Sequence, residues 1–475
     1  MIKNLLLSGA LMSVPALMLN AETKVYTMDE LGDEIHVSPN GKFVCVGDLM
    51  YQQNKSYLWS AENPETFTLL PGEVTAYDVD NNGTVVGSME TEPGISRACI
   101  LIDDEWLELP SHEAVVNTAE ANCITGDGTL IAGTQFINDP TSEIQGRYYP
   151  CIWKKGEDGN WNLTAYTGIK LPDHQGFISK CLYVNGEDIV IGGRLYTDFG
   201  SCVPAIIVNG ELKYWNKLET KMLPFIWNGK YEIRDENGNQ QWTDDPNNPN
   251  ISLYPEYFVD GIHDGRNDKS GDGTAFNGEL TSVDKHGNFY GYRTRAFDVD
   301  EEGNGTLVNG GTIYNYIDDE WIDNPDYTLY STGLSEKKII FTLGDCMIMD
   351  GEKTVLTETF GFSVNRDLSS IRSVSEDGKV WAGNLSELHP ATGDYIYYPL
   401  VIVLDEPLVA GIDDIVNENG ITIIVSAGRI DVAGTDDVTI YDLKGSVVSN
   451  AVTSYVAPGM YIVKAGDTTR KVFVK

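Results

Sequence analysis

Positive charge is scarce in this chain. Lys and Arg number 33 against 71 Asp and Glu, a formal net charge of −38 at pH 7 over 475 residues. Such a surface repels a phosphate backbone, which excludes nucleic acid as a partner. Histidine is scarcer still. The six residues His36, His112, His174, His263, His286 and His389 show no metal-ligand spacing. No G-x-S-x-G nucleophile elbow occurs. Past the N-terminus no apolar run reaches about 18 residues, so no transmembrane helix is expected.

The N-terminus does carry an apolar stretch. Lys3 precedes Leu5–Leu19, which is interrupted by Ser8, Gly9, Ser13 and Pro15, and Ala21 offers a small residue before Glu22. This is the form of a secretory signal peptide over residues 1–21. No cysteine lies at the cut for a lipid anchor. The mature chain is expected to be soluble and exported, to the outside or the outer-membrane surface, with the periplasm as the alternative.

Seven cysteines in an exported chain suggest disulfides. Their positions point elsewhere. Cys99 and Cys151 match in "ACIL" and "PCIW", Cys123 and Cys181 in "NCIT" and "KCLY", and Cys45 lies within "FVCVG". These are places for a small buried hydrophobe. Mostly free thiols are expected, with Cys181–Cys202 as the exception.

What the chain has in abundance is a repeat. The stretch "YDVDNNGTVVGS" from Tyr77 returns as "HVSPNGKFVCVGD" (His36), "NCITGDGTLIAGT" (Asn122), "CLYVNGEDIVIGG" (Cys181), "TSVDKHGNFYGY" (Thr281) and "RSVSEDGKVWAG" (Arg372). Each copy has a turn glycine (Gly41, Gly83, Gly128, Gly186, Gly287, Gly378), an apolar run, and a second glycine (Gly47, Gly87, Gly133, Gly192, Gly291, Gly383). Asn-Gly and Asp-Gly suit the positive φ of a tight hairpin, and the second glycine lets another backbone approach closely. A second half follows in several copies, ending in "KSYLW", "RACIL", "YYPCIW", "CVPAIIV" and "YYPLVIV". Four short strands in about 40 residues is the size of one propeller blade. The expected fold is all-β: a β-propeller over 22–407, seven blades favoured and six or eight possible, then a small C-terminal β-sandwich over 408–475. Segments from Leu223 and from Lys337 are candidates for the blades hidden in the two widest gaps. A strand near Lys24–Met28 is expected to close the ring with the last blade.

The pairing of "NNGTVVGS" with "ACILIDDEWLELP" resembles the exported HAF-type repeat, over roughly Ile35 to Leu404. That resemblance implies a propeller-like exported fold and no particular chemistry. The C-terminal region, through Gly411–Ile415, "VTIYDLKG", "APGMYIVKAG" and the terminal "KVFVK", resembles the sorting domain of the type IX secretion pathway of Bacteroidetes. It implies export through the outer membrane or attachment to it.

Candidate sites are few. Counting a 12-residue calcium loop from Asp78 puts Met89 where a bidentate Glu belongs, and from Asp298 it puts Asn309 there. Both fail. From Asp268 the count works: Asp268, Ser270, Asp272, the backbone of Thr274, and Glu279 at position twelve, with Gly273 for the sharp turn. Calcium is therefore the one cofactor expected. An insertion around 217–278, rich in Asn, Asp, Pro and Gly, also carries Trp227, Trp242, Tyr254 and Tyr257, aromatics able to stack on a sugar or anchor a protein. Turns from Ser282 and Ser375 miss the Asp-box spacing of sialidases by one residue. The sequence thus points to a non-enzymatic exported binding or interaction protein for a glycan or protein. The rival is a polysaccharide-degrading hydrolase or lyase of propeller type, and a third class is a surface-layer or adhesion component.

Overall fold

A computed structural model describes residues 23–51, 54–138, 146–169, 176–196, 202–214, 218–224, 226–227, 229–235, 238–259, 262–263, 278–297, 306–323, 330–331, 340–349, 352–404, 422–426, 429–435, 437–442, 445–456, 459–466 and 468–474. Seven antiparallel four-stranded meanders follow one another among them. Their innermost strands are Glu34–Val37, Val74–Val79, Val115–Ile124, Gly176–Asn185, Gly278–Val283, Tyr330–Ser331 and Asp367–Val374. The third and fourth sheets touch through one parallel pairing, Tyr148 with Gly176. The seventh has three strands of its own. The N-terminal strand Lys24–Thr27 adds the fourth by pairing with Tyr395–Val403.

The core lies between sheets. Ile35, Val44, Val46 and Trp59 of the first pack with Val380, Ala382 and Val401 of the seventh. Val86 and Ile100 of the second meet Ile131 and Trp153 of the third. Cys181 and Ile206 of the fourth meet Leu280 and Phe289 of the fifth. Similar clusters join the first sheet to the second, the third to the fourth and the sixth to the seventh, so the first four sheets and the seventh are covered on both faces, as the uninterrupted apolar runs require. Sheets stacked face to face in sequence, with the last pairing the first strand, make a β-propeller. Trp59, Trp153 and Trp381 are wholly buried, their indole N–H groups donating to the carbonyls of Pro64, Pro110 and Gly378 at 2.8, 2.7 and 2.7 Å.

The second glycines have a specific task. Five inner strands carry a bulge at one place, between Ala76 and Asp78, Ala121 and Cys123, Ser179 and Cys181, Leu280 and Ser282, and Ile371 and Ser373. Opposite each bulge stands Gly87, Gly133, Gly193, Gly291 or Gly383. A Cβ there would strike the carbonyl oxygen of Thr75, Glu120, Ile178, Glu279 or Ser370. The fourth repeat uses Gly193 for this, not Gly192, whose Cβ would instead meet Phe289 and the Cys181 thiol. A bulge turns one extra residue out of the ladder. Here those residues are Tyr77, Asn122, Lys180, Thr281 and Arg372.

The hairpin turns are closed by one device. Ser38, Asp80, Thr125, Asp284 and Ser375, each three residues before its turn glycine, accept the N–H of Phe43, Thr84, Leu130, Asn288 and Val380 at 3.0, 2.7, 3.1, 3.0 and 3.0 Å. The turns also bond to one another. Glu376 N donates to Pro39 O, Asn40 N to Asn81 Oδ1, and Asn81 N to Gly126 O, at 2.9, 2.8 and 3.0 Å.

Three expectations need correction. The Lys337 segment does fall in a four-stranded meander, but the Leu223 segment does not. Ile226–Trp227, Lys230–Arg234 and Gln240–Thr243 form a three-stranded sheet, and Leu218–Pro224 joins Leu253–Val259 and Ile262–His263 in another. The insertion is therefore not a bare loop, because its Tyr- and Ile-bearing runs pair locally. All seven cysteines are free, so Cys181 and Cys202 are not joined. They sit on strands flanking Asp188–Tyr196, with a whole strand between them, which exceeds disulfide reach.

The C-terminal residues form two further sheets. Thr422–Ser426, Arg429–Ala433 and Thr453–Tyr455 make one; Val447–Ser449, Val438–Asp442, Gly459–Ala465 and Thr468–Val474 make the other. Ile423, Ile430, Val432, Ile440 and Val463 form a core of their own, as in a small sandwich.

Candidate functional site

Apart from the Tyr148–Gly176 bridge, each innermost strand is an edge of its sheet, so the N–H and C=O groups along that edge have no ladder partner. Six of these edges enclose one cavity of about 320 Å³. Its wall includes His36, Asp78, Lys180, Ser282, Asp284 and Glu376, from the first, second, fourth, fifth and seventh sheets. The third contributes Cys123 to Gly126.

Two of these carboxylates belong to the scaffold. Asp78 accepts Val79 N at 2.8 Å and, across to the third sheet, Ile124 N at 2.9 Å. Burial still pushes its pKa up. Asp284 accepts His286 N, Asn288 N, Asn288 Nδ2 and the Tyr290 hydroxyl, at 2.8, 3.0, 2.9 and 2.8 Å. The opening Asp of the "DVDNNG" turn thus serves a backbone joint rather than a cation.

Lys180 and His36 of the cavity wall also belong to a cluster of opposite charges. The Lys180 ammonium, on a bulge of the fourth sheet, lies 3.6 Å from Glu34 Oε1 of the first. His36 Nε2 is 3.8 Å from Glu34 Oε2. Arg194 Nη1 lies 3.1 Å from Glu279 Oε2, and Asn122 Nδ2 donates to Glu120 Oε2 at 3.2 Å. Burial would push the Glu34 carboxyl up, but Lys180 and then His36 outweigh it and hold the group well below the usual carboxylate range. In return Glu34 raises the Lys180 ammonium above its ordinary value. Glu120, helped only by Asn122 and more distant cations, is raised by burial. Among the described residues, no three His, Cys, Asp or Glu side chains are grouped to hold a metal.

The residues singled out from sequence fall elsewhere. Trp227 and Trp242 lie on the three-stranded sheet of the insertion, paired with Lys230 and Glu232, and Trp242 is 37% exposed. Tyr254 and Tyr257 lie on the other insertion sheet, opposite Leu223 and Thr220. The four are thus divided between two sheets. The insertion enters at the start of Gly278–Val283, whereas the cavity wall is built from the later residues of the inner strands. Of the calcium loop, Asp268, Ser270, Asp272, Gly273 and Thr274 lie outside the described residues. Glu279, its twelfth position, sits on an inner strand and faces Arg194.

No family model and no curated protein sequence matches the chain. Similar solved structures include hydrazine synthase of Kuenenia stuttgartiensis, at 11% identity and TM-score 0.38 over 78% of this chain and 96% of that one. The β-propeller domain of the Trilobed protease from Pyrococcus furiosus aligns at 11% identity and TM-score 0.28, over 63% and 85%. The Dos1 propeller aligns at 9% and 0.33, over 79% and 93%.

Proposed function

We propose that this chain is an exported β-propeller that binds a glycan in its axial cavity, without turning it over. The single observation behind this reading is the cavity itself. Its wall mixes His36, Lys180, Ser282 and Glu376 with apolar side chains such as Ile124, Leu182 and Tyr183, and its volume of about 320 Å³ suits a small group rather than a protein surface. The N-terminal signal and the C-terminal module supply the export part of the proposal, with outer-membrane attachment through the module. The mature chain applied to a broad glycan array tests the reading. Retention of no saccharide would remove it.

A second reading has a specific observation in its favour. Glu34, Glu120 and Glu279, with His36 beside Glu34, gather carboxylates whose environments push two of them in opposite directions. Such divergence is what an acid–base pair requires. Release of shortened products from polysaccharides that the array retains would favour a hydrolase or lyase over a lectin-like role.

A further inference from the structure

We propose a second binding site, off the axis, that takes the ammonium of a lysine side chain carried on a partner peptide. It lies in a cavity of about 600 Å³ shared by the first three sheets, whose wall includes Thr68, Leu101, Asp103, Asp104 and Trp161.

An internal repeat points to the ligand. The pentapeptide Ile-Asp-Asp-Glu-Trp occurs twice, at 102–106 in the second sheet and at 317–321 in the fifth. In both copies the second Asp has positive φ, 63° at Asp104 and 53° at Asp319, and the Glu after it opens the outer strand. In the fifth sheet that carboxylate holds an ammonium. Lys213, on the outer strand of the preceding sheet, donates to Asp319 Oδ1 at 2.7 Å and to the Tyr314 hydroxyl at 2.8 Å. The second sheet lacks both partners. Leu101 stands opposite Trp106 where Tyr314 stands opposite Trp321. The outer strand of its preceding sheet, Phe67–Leu69, has no basic residue. Leu101 and Thr68 instead line the cavity. Among the described residues neither the Asp103 nor the Asp104 carboxylate makes a hydrogen bond or an ion pair.

The rest of the wall agrees with a cation. Asp80 and Asp127 also line the cavity, and Lys155 is the one basic residue there. Asp80 and Asp127 serve their own turns. Asp80 accepts Asn82 N and Thr84 N at 2.8 and 2.7 Å, and Asp127 accepts the Thr125 and Thr129 hydroxyls at 2.6 and 2.8 Å. Asp103 and Asp104 are left for a new donor. Phe43, Leu58 and Leu70 give the methylene stem of a lysine an apolar bed.

Two donors in the same cavity extend the ligand beyond its ammonium. The indole N–H groups of Trp59, Trp106, Trp153 and Trp381 donate to backbone carbonyls at 2.8, 2.7, 2.7 and 2.7 Å. That of Trp161 has no acceptor among the described residues. The Lys155 ammonium, 5.8 Å from the Trp161 ring centroid, has no hydrogen bond or ion pair among them either. Unmatched donors together with unmatched carboxylates suit a ligand that brings carbonyl oxygens as well as an ammonium. A lysyl peptide does so and a simple diamine does not.

The test is saturation-transfer NMR on the full chain, with Kd taken from titration. The probes are a Gly-Lys-Gly peptide blocked at both ends, the same peptide acetylated on the lysine amine, and cadaverine. The unacetylated peptide should bind, the acetylated one should not, and cadaverine should bind more weakly than the peptide. Asp104→Asn keeps a residue that tolerates positive φ. It should weaken the peptide about threefold to tenfold, between an exposed ion pair and a hydrogen bond to a charged group. Thr68→Lys supplies an ammonium from the first sheet, as Lys213 does from the fourth, and should abolish binding without lowering the melting temperature. Peptide binding that ignores acetylation, or that survives both variants unchanged, overturns the proposal, as does a wild type that binds no peptide. Cadaverine bound in preference to the peptide overturns the peptide assignment. Saccharide binding at the axial cavity is untouched by any of these results.

Discussion

Lys180 Nζ and Glu34 Oε1, separated by 146 positions in sequence, face each other at 3.6 Å across the propeller axis. The contact joins two sheets that share no interface core. It also sets the acid response of the fold. Glu34 has a depressed pKa when folded. It therefore adds stability that is complete above the unfolded carboxyl's value of about 4.3 and is lost as pH falls through the folded value. Lys180, raised when folded, adds stability that is complete below about pH 10 and is lost as pH rises through its folded value.

Glu120 has the opposite sign. Burial raises it, so ionising it costs stability. That cost is absent below about pH 4.3 and complete once pH exceeds the folded value. Denaturant unfolding at pH 7 should show Glu34→Gln destabilised by about 2–3 kcal/mol, under the range for a fully buried pair. Glu120→Gln should be neutral to stabilising. Both differences should shrink in acid. A destabilised Glu120→Gln at pH 7 would contradict this account.

The glycines opposite the bulges should be unequal to those in open turns. Gly133→Ala places a methyl against the Glu120 carbonyl and the Trp153 ring. It should cost about 3 kcal/mol or more. Gly186 has φ +62° and open space around it, so Gly186→Ala should cost only about 1–2 kcal/mol of backbone strain. Urea titration of the two variants separates packing from dihedral cost.

Removal of residues 22–28 should loosen the seventh sheet before any other. Four residue pairs, Lys24–Val403 to Thr27–Leu400, hold the closing strand. Thr23 adds a bond from its hydroxyl to the Phe360 carbonyl at 2.6 Å. Amide exchange should accelerate along Leu400–Val403 and stay slow in the third sheet. Uniform acceleration throughout would mean that closure is not local.

We propose calcium as the ligand of the Asp268 loop. Millimolar Ca²⁺ should raise the melting temperature of the wild type, and Asp268→Ala should cancel the rise. Because Glu279 already faces Arg194, calcium binding through it should also weaken that ion pair. A melting curve indifferent to calcium removes the site.

The repeated sheets were legible because their signal is local. A turn glycine, an apolar run and a second glycine occupy about a dozen residues and recur intact at Gly83–Gly87 and Gly287–Gly291. The sixth sheet was harder to see. Its hairpin at Gly344 has neither an Asn-Gly nor an Asp-Gly pair, and its strands Ile340–Leu343 and Cys346–Met349 are short. The axial cluster was not legible. It draws one or two residues from each of five sheets, and their types differ: Glu34, Asn122, Lys180, Glu279, Arg372. One signal was available, the polar residue just before or at the bulge in otherwise apolar strands. Reading it required the register that only the folded sheets reveal.

The closing strand imposes an order of events. Lys24–Thr27 leave the ribosome early, yet their partners at Leu400–Val403 come some 370 residues later. Until then a hydrogen-bonding edge stays open at the chain's head, and so long a loop can close only slowly. The ring cannot be finished until nearly the whole propeller has been made.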